Sequence, residues 1–409
     1  MPVMRLLMIL LLLVLVVVNA SSMIAATLSC SSTADCSFGG ACTTSGVCVC
    51  DAGFAGVTCA LLDNSTRIPV ISGFRLDDYH VWGSQVVFER STNLYRMAAS
   101  IYPITLSFYQ SWLFSAQIVI ASAASPLGPF ALDSIVLPYA AESHWDRSVM
   151  NPKLLRAPGE NSRWLLFYVG STYVGLTPNA TVPIPTGQAQ SAQASQRIGV
   201  ASAPSPLGPF TRLPQPILEP RPGQWDDRMV SNPAIVAFGY GQNTSLLMVY
   251  KASSPSDANE TQTRVCFGVA SASAWNMPFL RLRNDPILPC PDNSFYAEDP
   301  TLWRGIDGIF HLVFKDFDGH YTHDGYSGAH ATSIDGVNWD VTSPALAYTT
   351  THTWSDGKVR TQKSQERAQI LLNETIDGGD GLPLVAYFAT STELNGSQRF
   401  WNMAMPLRR

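Results

Sequence analysis

The chain has 409 residues, of which 46% are apolar and 10% aromatic, enough for a large buried core; charged residues, at 14%, leave little for long solvated tails. A formal charge of −5 provides no basic field, which argues against nucleic acid as a partner.

Residues 1–20 carry an early Arg5, an apolar run from Leu6 to Val18 and a small-residue end at Ala20, the pattern of a secretory signal. The run is short for a membrane span and no second run of that length follows, so stable membrane insertion is not expected. The mature chain is expected to be secreted, or lumenal in the secretory or endolysosomal pathway.

Six of the eight cysteines fall within residues 27–60: Cys30, Cys36, Cys42, Cys48, Cys50 and Cys59. So short a stretch cannot bury a useful core, and crosslinks must replace one. Spacing alone leaves their connectivity open. The run Cys48-Val-Cys50-Asp-Ala-Gly53-Phe54-Ala-Gly56-Val-Thr-Cys59 resembles an EGF-like module. That resemblance implies the pairs Cys30–Cys42, Cys36–Cys48 and Cys50–Cys59, and a spacer or adhesion unit able to meet a protein partner. No acidic pair precedes Cys30, so calcium is not expected there. Cys266 and Cys290 are expected to form a further disulfide between neighbouring strands. Asn64, Asn179, Asn243, Asn259, Asn373 and Asn395 each open an Asn-x-Ser/Thr sequon beside polar turn residues and are expected to be glycosylated.

From residue 69 to residue 409 the chain repeats itself. Ala121-Ser-Ala-Ala-Ser-Pro-Leu-Gly-Pro-Phe130 returns 80 residues later as Ala201-Ser-Ala-Pro-Ser-Pro-Leu-Gly-Pro-Phe210. His144-Trp145-Asp146 returns at the same offset as Gln224-Trp225-Asp226. Extending the pattern gives five units of four short strands. First strands begin at Ser84, Asn151, Asn232, Asp299 and Arg367, and aromatic or β-branched second strands at Leu94, Trp164, Leu246, Phe310 and Leu384. Third strands begin at Ile118, Ile198, Phe267, Gly328 and Trp401, and Pro-flanked fourth strands at Ile135, Pro216, Pro286 and Pro344. The pattern predicts an all-β, five-bladed β-propeller with no interrupting helix. The fifth unit lacks a fourth strand, and the segment Pro69–Phe74 is expected to supply it and close the ring.

The Ser-Pro-Leu-Gly-Pro-Phe turns, the Asn-Pro and Glu-Asp-Pro strand starts, and Ala331-Thr-Ser-Ile-Asp-Gly-Val-Asn-Trp339 resemble the five-bladed glycoside hydrolases of family 43 and its relatives, families 32, 62 and 117. The resemblance implies a glycosidase acting on an oligo- or polysaccharide. Its inverting chemistry would need one carboxyl to protonate the leaving oxygen, another to activate water, and a third to tune the pair.

First strands of such a propeller line the central channel, so acids at their starts converge. Candidates are Asp77 and Asp78, Asp146, Asp226 and Asp227, Glu298 and Asp299, and Glu366, with Arg147, Arg228 and Arg367 as adjacent cations. Asp78 is expected as base, Glu298 as proton donor, and Asp146 or Asp226 as the tuning acid. Trp82, Trp145, Trp225, Asn151, Asn232, Asp316 and His320 are expected to meet substrate. This chain departs from the family pattern where Asn151-Pro152 and Asn232-Pro233 stand in place of acids, and where blade one has Gly83-Ser84. Each candidate also has a structural alternative. Asp77 and Asp78 can make a turn, Asp146 and Asp226 can tie blades together, Trp145 and Trp225 can pack between them, Asp299 can cap a strand, and Glu366 can pair with Arg367. The run from Asp316 to Asp324 lacks calcium-loop spacing and reads as a solvated loop, while His311 and His330 read as core residues. No dinucleotide fingerprint, phosphate-cradling loop or Cys/His zinc pattern is present, so neither cofactor nor metal is expected. The competing function is a non-catalytic carbohydrate-binding or cell-surface interaction protein on the same scaffold.

Overall fold

The computed structural model describes residues 29–141, 143–159, 163–173, 185–239, 244–255, 263–291, 296–373, 380–392 and 399–409. The leader and the sequons at Asn179, Asn243, Asn259 and Asn395 lie outside these residues. Among the described residues no helix is long and apolar enough to cross a membrane.

Two small hairpins open the chain: β1 (Gly40–Cys42) with β2 (Cys48–Cys50), and β3 (Phe54–Ala55) with β4 (Leu61–Leu62). They are stapled by Cys30–Cys42, Cys36–Cys48 and Cys50–Cys59, the pairing the EGF-like resemblance implied.

Five antiparallel blades follow. Blade 1 is β5 (Tyr79–Glu89), β6 (Leu94–Pro103), β7 (Gln117–Ala123) and β8 (Ala131–Leu137); blade 2 is β9 (Ser148–Arg156), β10 (Trp164–Ser171), β11 (Arg197–Ala203) and β12 (Thr211–Arg212). Blade 3 is β13 (Met229–Phe238), β14 (Ser245–Pro255), β15 (Thr263–Ala272) and β16 (Leu280–Arg281); blade 4 is β17 (Glu298–Arg304), β18 (Phe310–Asp316), β19 (Ser327–Ser333) and β20 (Asp340–Tyr348). A hairpin, β21 (Thr351–Thr353) and β22 (Val359–Thr361), leads into blade 5, which is β23 (Ser364–Leu372), β24 (Pro383–Ser391) and β25 (Trp401–Pro406). Second strands such as β10 and β18 are buried along their whole length because each blade packs face to face with its neighbours, which is why they are aromatic and β-branched rather than alternating. Cys266 on β15 is bridged to Cys290.

The expected segment closes the ring, but through a single bridge at Phe74 rather than as a fourth strand, and blade 5 keeps three strands. Phe74 pairs antiparallel with Asn402 of β25, with N–H···O bonds of 2.9 and 3.0 Å in the two directions. Gly73 beside it donates to Leu127 O and accepts from Phe130 N, both at 2.8 Å, so one short segment joins blade 5 to blade 1.

Two further features differ from the sequence pattern. In blades 2 and 3 the fourth strand starts at Thr211 and Leu280, straight after the preceding turn. The Pro-flanked segments only return to the third strand, through the Ile198–Leu218 bridge and the Ile287 N to Phe267 O bond of 2.9 Å. Among the described residues two helices also interrupt the blades: α1 (Phe108–Phe114), whose first turn is capped by the Ser107 hydroxyl, and α2 (Thr186–Ala194). Each is inserted between a second and a third strand, at the end where β6 reaches Pro103 opposite Tyr79. That end is the mouth of the channel.

The disulfide-stapled hairpins seat at the other end of the blades. Gly53 N donates to Arg408 O, and Phe54 stacks on His330 and lies tilted against His311, with ring centroids 6.3 and 5.9 Å apart. His311 in turn stacks on Trp303 and shares a 3.1 Å Nδ1···Nε2 contact with His330. Burial pushes His330 down to about 4, and burial, followed by the charge of His330, pushes His311 well below the ordinary histidine value. Both are therefore neutral when folded, whereas an unfolded chain protonates them near pH 6.5. Stability is intact above that pH and is lost as pH falls from about 6.5 to about 4, by about 3 kcal/mol for His330 alone. Denaturant titrations across this window are expected to show the loss, and His330→Asn is expected to flatten that part of the profile.

Candidate active site

Each innermost strand carries a bulge near its start, and at each bulge one residue takes the left-handed conformation: Gly83 (φ 47°), Asn151 (54°), Asn232 (50°), Asp299 (56°) and Arg367 (54°). Gly, Asn and Asp suit that region best, and a bulge leaves one residue out of the ladder. The proline that follows in blades 2 to 4 therefore forfeits no ladder bond. Four of these residues form a belt round the channel. Asn151 Nδ2 donates to Asn232 Oδ1 at 2.7 Å, and Asn232 Nδ2 to Asp299 Oδ1 at 2.8 Å. Arg367 meets Asp299 from the other side, through its backbone N–H at 3.2 Å and its guanidinium at 3.4 Å.

One residue earlier stand Trp82, Met150, Ser231, Glu298 and Glu366, in blade order. All but Ser231 line a cavity of about 410 Å³ at the mouth, walled by Trp82, Tyr102, Phe108, Trp112 and Phe400. Glu298, Asp299 and Glu366 each bring a carboxylate oxygen to within 4.8 Å of the others. Each is matched by a cation: Lys251 Nζ lies 2.7 Å from Glu298, Lys315 Nζ 3.1 Å from Glu366, and Arg367 pairs with Asp299. The lysines sit on second strands, and each reaches from its own blade to the acid of the next. Their charges already balance this donor set, so the acids need no metal to be compensated.

The acids are not equivalent. Burial alone would raise Glu298, but the charges of Lys251 and Lys315 outweigh it and hold the carboxyl far below the ordinary carboxylate range. Asp299 is shifted the other way, by burial first and then by the neighbouring carboxylates, with Arg367 opposing. The side chains of Glu298 and Glu366 remain 20% and 22% exposed, against 5% for Asp299, so Glu298 and Glu366 are the two that a ligand can reach. Ser364 Oγ and Lys315 both bind Glu366 Oε1, and Glu366 lines the cavity.

Of the remaining candidates, Asn151 and Asn232 line the cavity and Arg367 supports Asp299 from behind. The others are placed elsewhere. Asp78 is exposed outside the cavity and Asp77 pairs with Arg399 at the surface, because both precede the bulge of β5 by several residues. Asp146 receives the Tyr168 hydroxyl at 2.6 Å and Arg212 at 3.2 Å. Asp226 receives Tyr250 at 3.0 Å, Arg281 at 2.7 Å and Arg221 at 2.9 Å. Trp145 and Trp225 stack on the same two tyrosines. The incoming segment of each blade crosses toward the outer-strand arginine on its way to the channel, which turns these acids away from it. Arg147 lies over the Tyr173 ring, while Arg228 and Asp227 are outside the lining. Asp316 accepts the backbone N–H groups of His320, Tyr321 and Thr322 at 2.8–3.0 Å and so fixes the loop carrying Phe317 and Tyr326 into the cavity wall. His320 itself stacks on Tyr296. Asp226→Asn is accordingly expected to cost about 3 kcal/mol by loosening the Tyr250–Arg221–Arg281 clamp, while leaving ligand binding per folded molecule unchanged. Paired melting curves and binding isotherms check this.

Of the aromatic wall the sequence supplied Trp82; Lys251, Lys315, Tyr102, Phe108, Trp112 and Phe400 were missed. The lysines had a signal: each directly follows the aromatic residue that ends the second-strand pattern, Tyr250 and Phe314, in two consecutive blades.

No family model matches the chain, and no curated protein matches its sequence. Solved structures do match its fold. A family 117 glycoside hydrolase, Zg3597, from the marine bacterium Zobellia galactanivorans aligns at a TM-score of 0.56 and 13% identity, over 83% of this chain and 87% of its own. A second glycoside hydrolase aligns at 0.57 and 13% identity, over 84% of this chain and 93% of its own. A thermostable family-43 glycoside hydrolase aligns at 0.51 and 13%, over 83% and 92%. The chain thus has the five-bladed propeller fold of family 43 and family 117 glycoside hydrolases.

Proposed function

We propose that the protein is a secreted glycoside hydrolase whose working carboxyls are Glu298 and Glu366, on blades 4 and 5. The observation that carries this reading is the convergence of two reachable carboxylates beside an aromatic wall at the channel mouth. Glu298, held ionised by Lys251, suits the nucleophile or base rather than the proton donor; Glu366 is left to protonate the leaving oxygen. Asp299 and the belt position both. One oxygen of each carboxyl lies within 4.8 Å of the other, a close approach in keeping with double displacement and net retention, against the inverting chemistry the family resemblance implied, and the first-formed anomer decides between the two. The test is release of reducing ends from a panel of oligo- and polysaccharides, with Glu298→Gln and Glu366→Gln as controls and NMR of the first-formed anomer as the stereochemical readout.

A non-catalytic glycan-binding protein is the second reading. It is favoured by Gly83, Asn151 and Asn232 at the places where related hydrolases carry acids, and by the ion pairing of both reachable glutamates. Binding without turnover across the panel would select it. The disulfide-stapled hairpins, of EGF-like pattern, would serve as a spacer; their Phe54 face is already occupied by the propeller.

A further inference from the structure

We propose that the pocket is selective for an anionic glycan, one bearing a uronate carboxylate or a sulfate ester, and that Lys363 receives its negative group. This rests on the reading of the pocket as a sugar site, whether catalytic or not.

The charges of the site pair one to one. Lys251 is taken by Glu298, Lys315 by Glu366 and Arg367 by Asp299. One cation of the lining is left over. Lys363 lies on the cavity edge immediately before β23, is exposed, and has no side-chain partner among the described residues. Its position is fixed although its head is free. The backbone N–H of Lys363 donates to Ser391 O at 2.9 Å, and the next residue, Ser364, is bonded to Glu366. The ammonium therefore projects from the same strand start that carries a working carboxylate.

Trp82, Trp112 and Phe400 give the cavity an apolar side against which a sugar ring can pack. A neutral sugar stacked there would meet no counter-charge for Lys363. A ring carrying a carboxylate or sulfate would gain a charge-assisted hydrogen bond. The whole chain has a formal charge of −5, so long-range attraction does not draw polyanions to it and the preference must be local. Lysine acts as a compact point charge with no planar fork, which accommodates either anion.

The experiment is calorimetric titration of the full mature chain with matched pairs. One arm uses oligouronates, such as trigalacturonate and glucuronate-bearing oligosaccharides, each against its carboxyl-reduced form. The other uses sulfated galactan oligosaccharides, each against its desulfated form. Reducing-end release is measured on the same samples. Wild type is expected to bind at least one acidic member about tenfold more tightly than its neutral match, a margin that shrinks with added salt. Lys363→Met, which keeps the apolar stem, is expected to abolish the margin, and Lys363→Arg to retain it. The arm that shows the margin names the anion. Equal affinity for both members of every pair, no binding of any acidic member, or a margin that survives Lys363→Met would overturn the proposal. Turnover of neutral glycans alone would overturn it while leaving the hydrolase reading in place. Lys363-dependent binding of acidic glycans without turnover would do the reverse.

Discussion

Glu298→Gln is expected to lower kcat on a competent glycan by about 10³-fold or more, with a much smaller change in KM. Glutamine keeps the shape and the hydrogen-bond acceptor for Lys251 but can neither attack the anomeric carbon nor take a proton. The substitution also leaves Lys251 without its anion at a site only 13% exposed, so the variant is expected to melt earlier than wild type. Rates must therefore be taken per folded molecule, below the onset of melting. A variant that folds and retains wild-type kcat would remove Glu298 from the chemistry and, with it, the two-glutamate reading. The corresponding change at Glu366 should act on the first step most strongly for substrates with poor leaving groups, because those depend on proton delivery.

Gly73→Ala is expected to be among the most destabilising single changes in the propeller. Gly73 has φ +70°, and a Cβ there would stand 1.8 Å from Asn402 O, an atom of the closing backbone pair. The neighbouring backbone cannot move without releasing Phe74 from β25 or Gly73 from the Leu127–Phe130 turn. A loss of about 4 kcal/mol or more is expected, beyond the ordinary cost of an L-residue at positive φ. Gly223→Ala supplies that ordinary cost, since Gly223 has φ +75° and open space around it. The difference between the two melting shifts measures the seam alone. Near-equal shifts would mean that closure through Phe74 contributes little.

The fold was legible because propeller blades repeat. The turn at Pro126 and its copy at Pro206, the paired Trp-Asp landmarks and the missing fourth strand of blade 5 together predicted five blades and the closing role of Phe74. The helices were not legible. α1 and α2 are short insertions at the mouth: the seven residues of α1 are too few to establish a helical period, and α2 has alanine as its only apolar side chain and no side-chain cap. The site was legible in part. Glu298, Asp299 and Glu366 were identified from their place at strand starts, because a strand start fixes where a side chain can go. Asp146 and Asp226 matched that rule too. Their destination depended on tertiary partners, Tyr168 with Arg212 and Tyr250 with Arg281, that no local pattern encodes. Lys251 and Lys315 lay one residue beyond the recognised second strands, where a charge on an otherwise buried strand makes sense only once the neighbouring blade's acid is in view.

The five bulges have a consequence for how such chains diverge. Because each blade presents the same backbone post to the channel, one residue in the left-handed conformation, and in four of the five the residue before it lines the cavity, a reactive group can be exchanged between blades with no change of scaffold. Here the carboxylates stand on blades 4 and 5, and asparagine or glycine holds the left-handed posts of blades 1 to 3. Comparing such proteins blade by blade in chain order would score this one as having lost its acids. Comparing them as rings, free to turn about the channel axis, finds carboxylates at two of five equivalent stations.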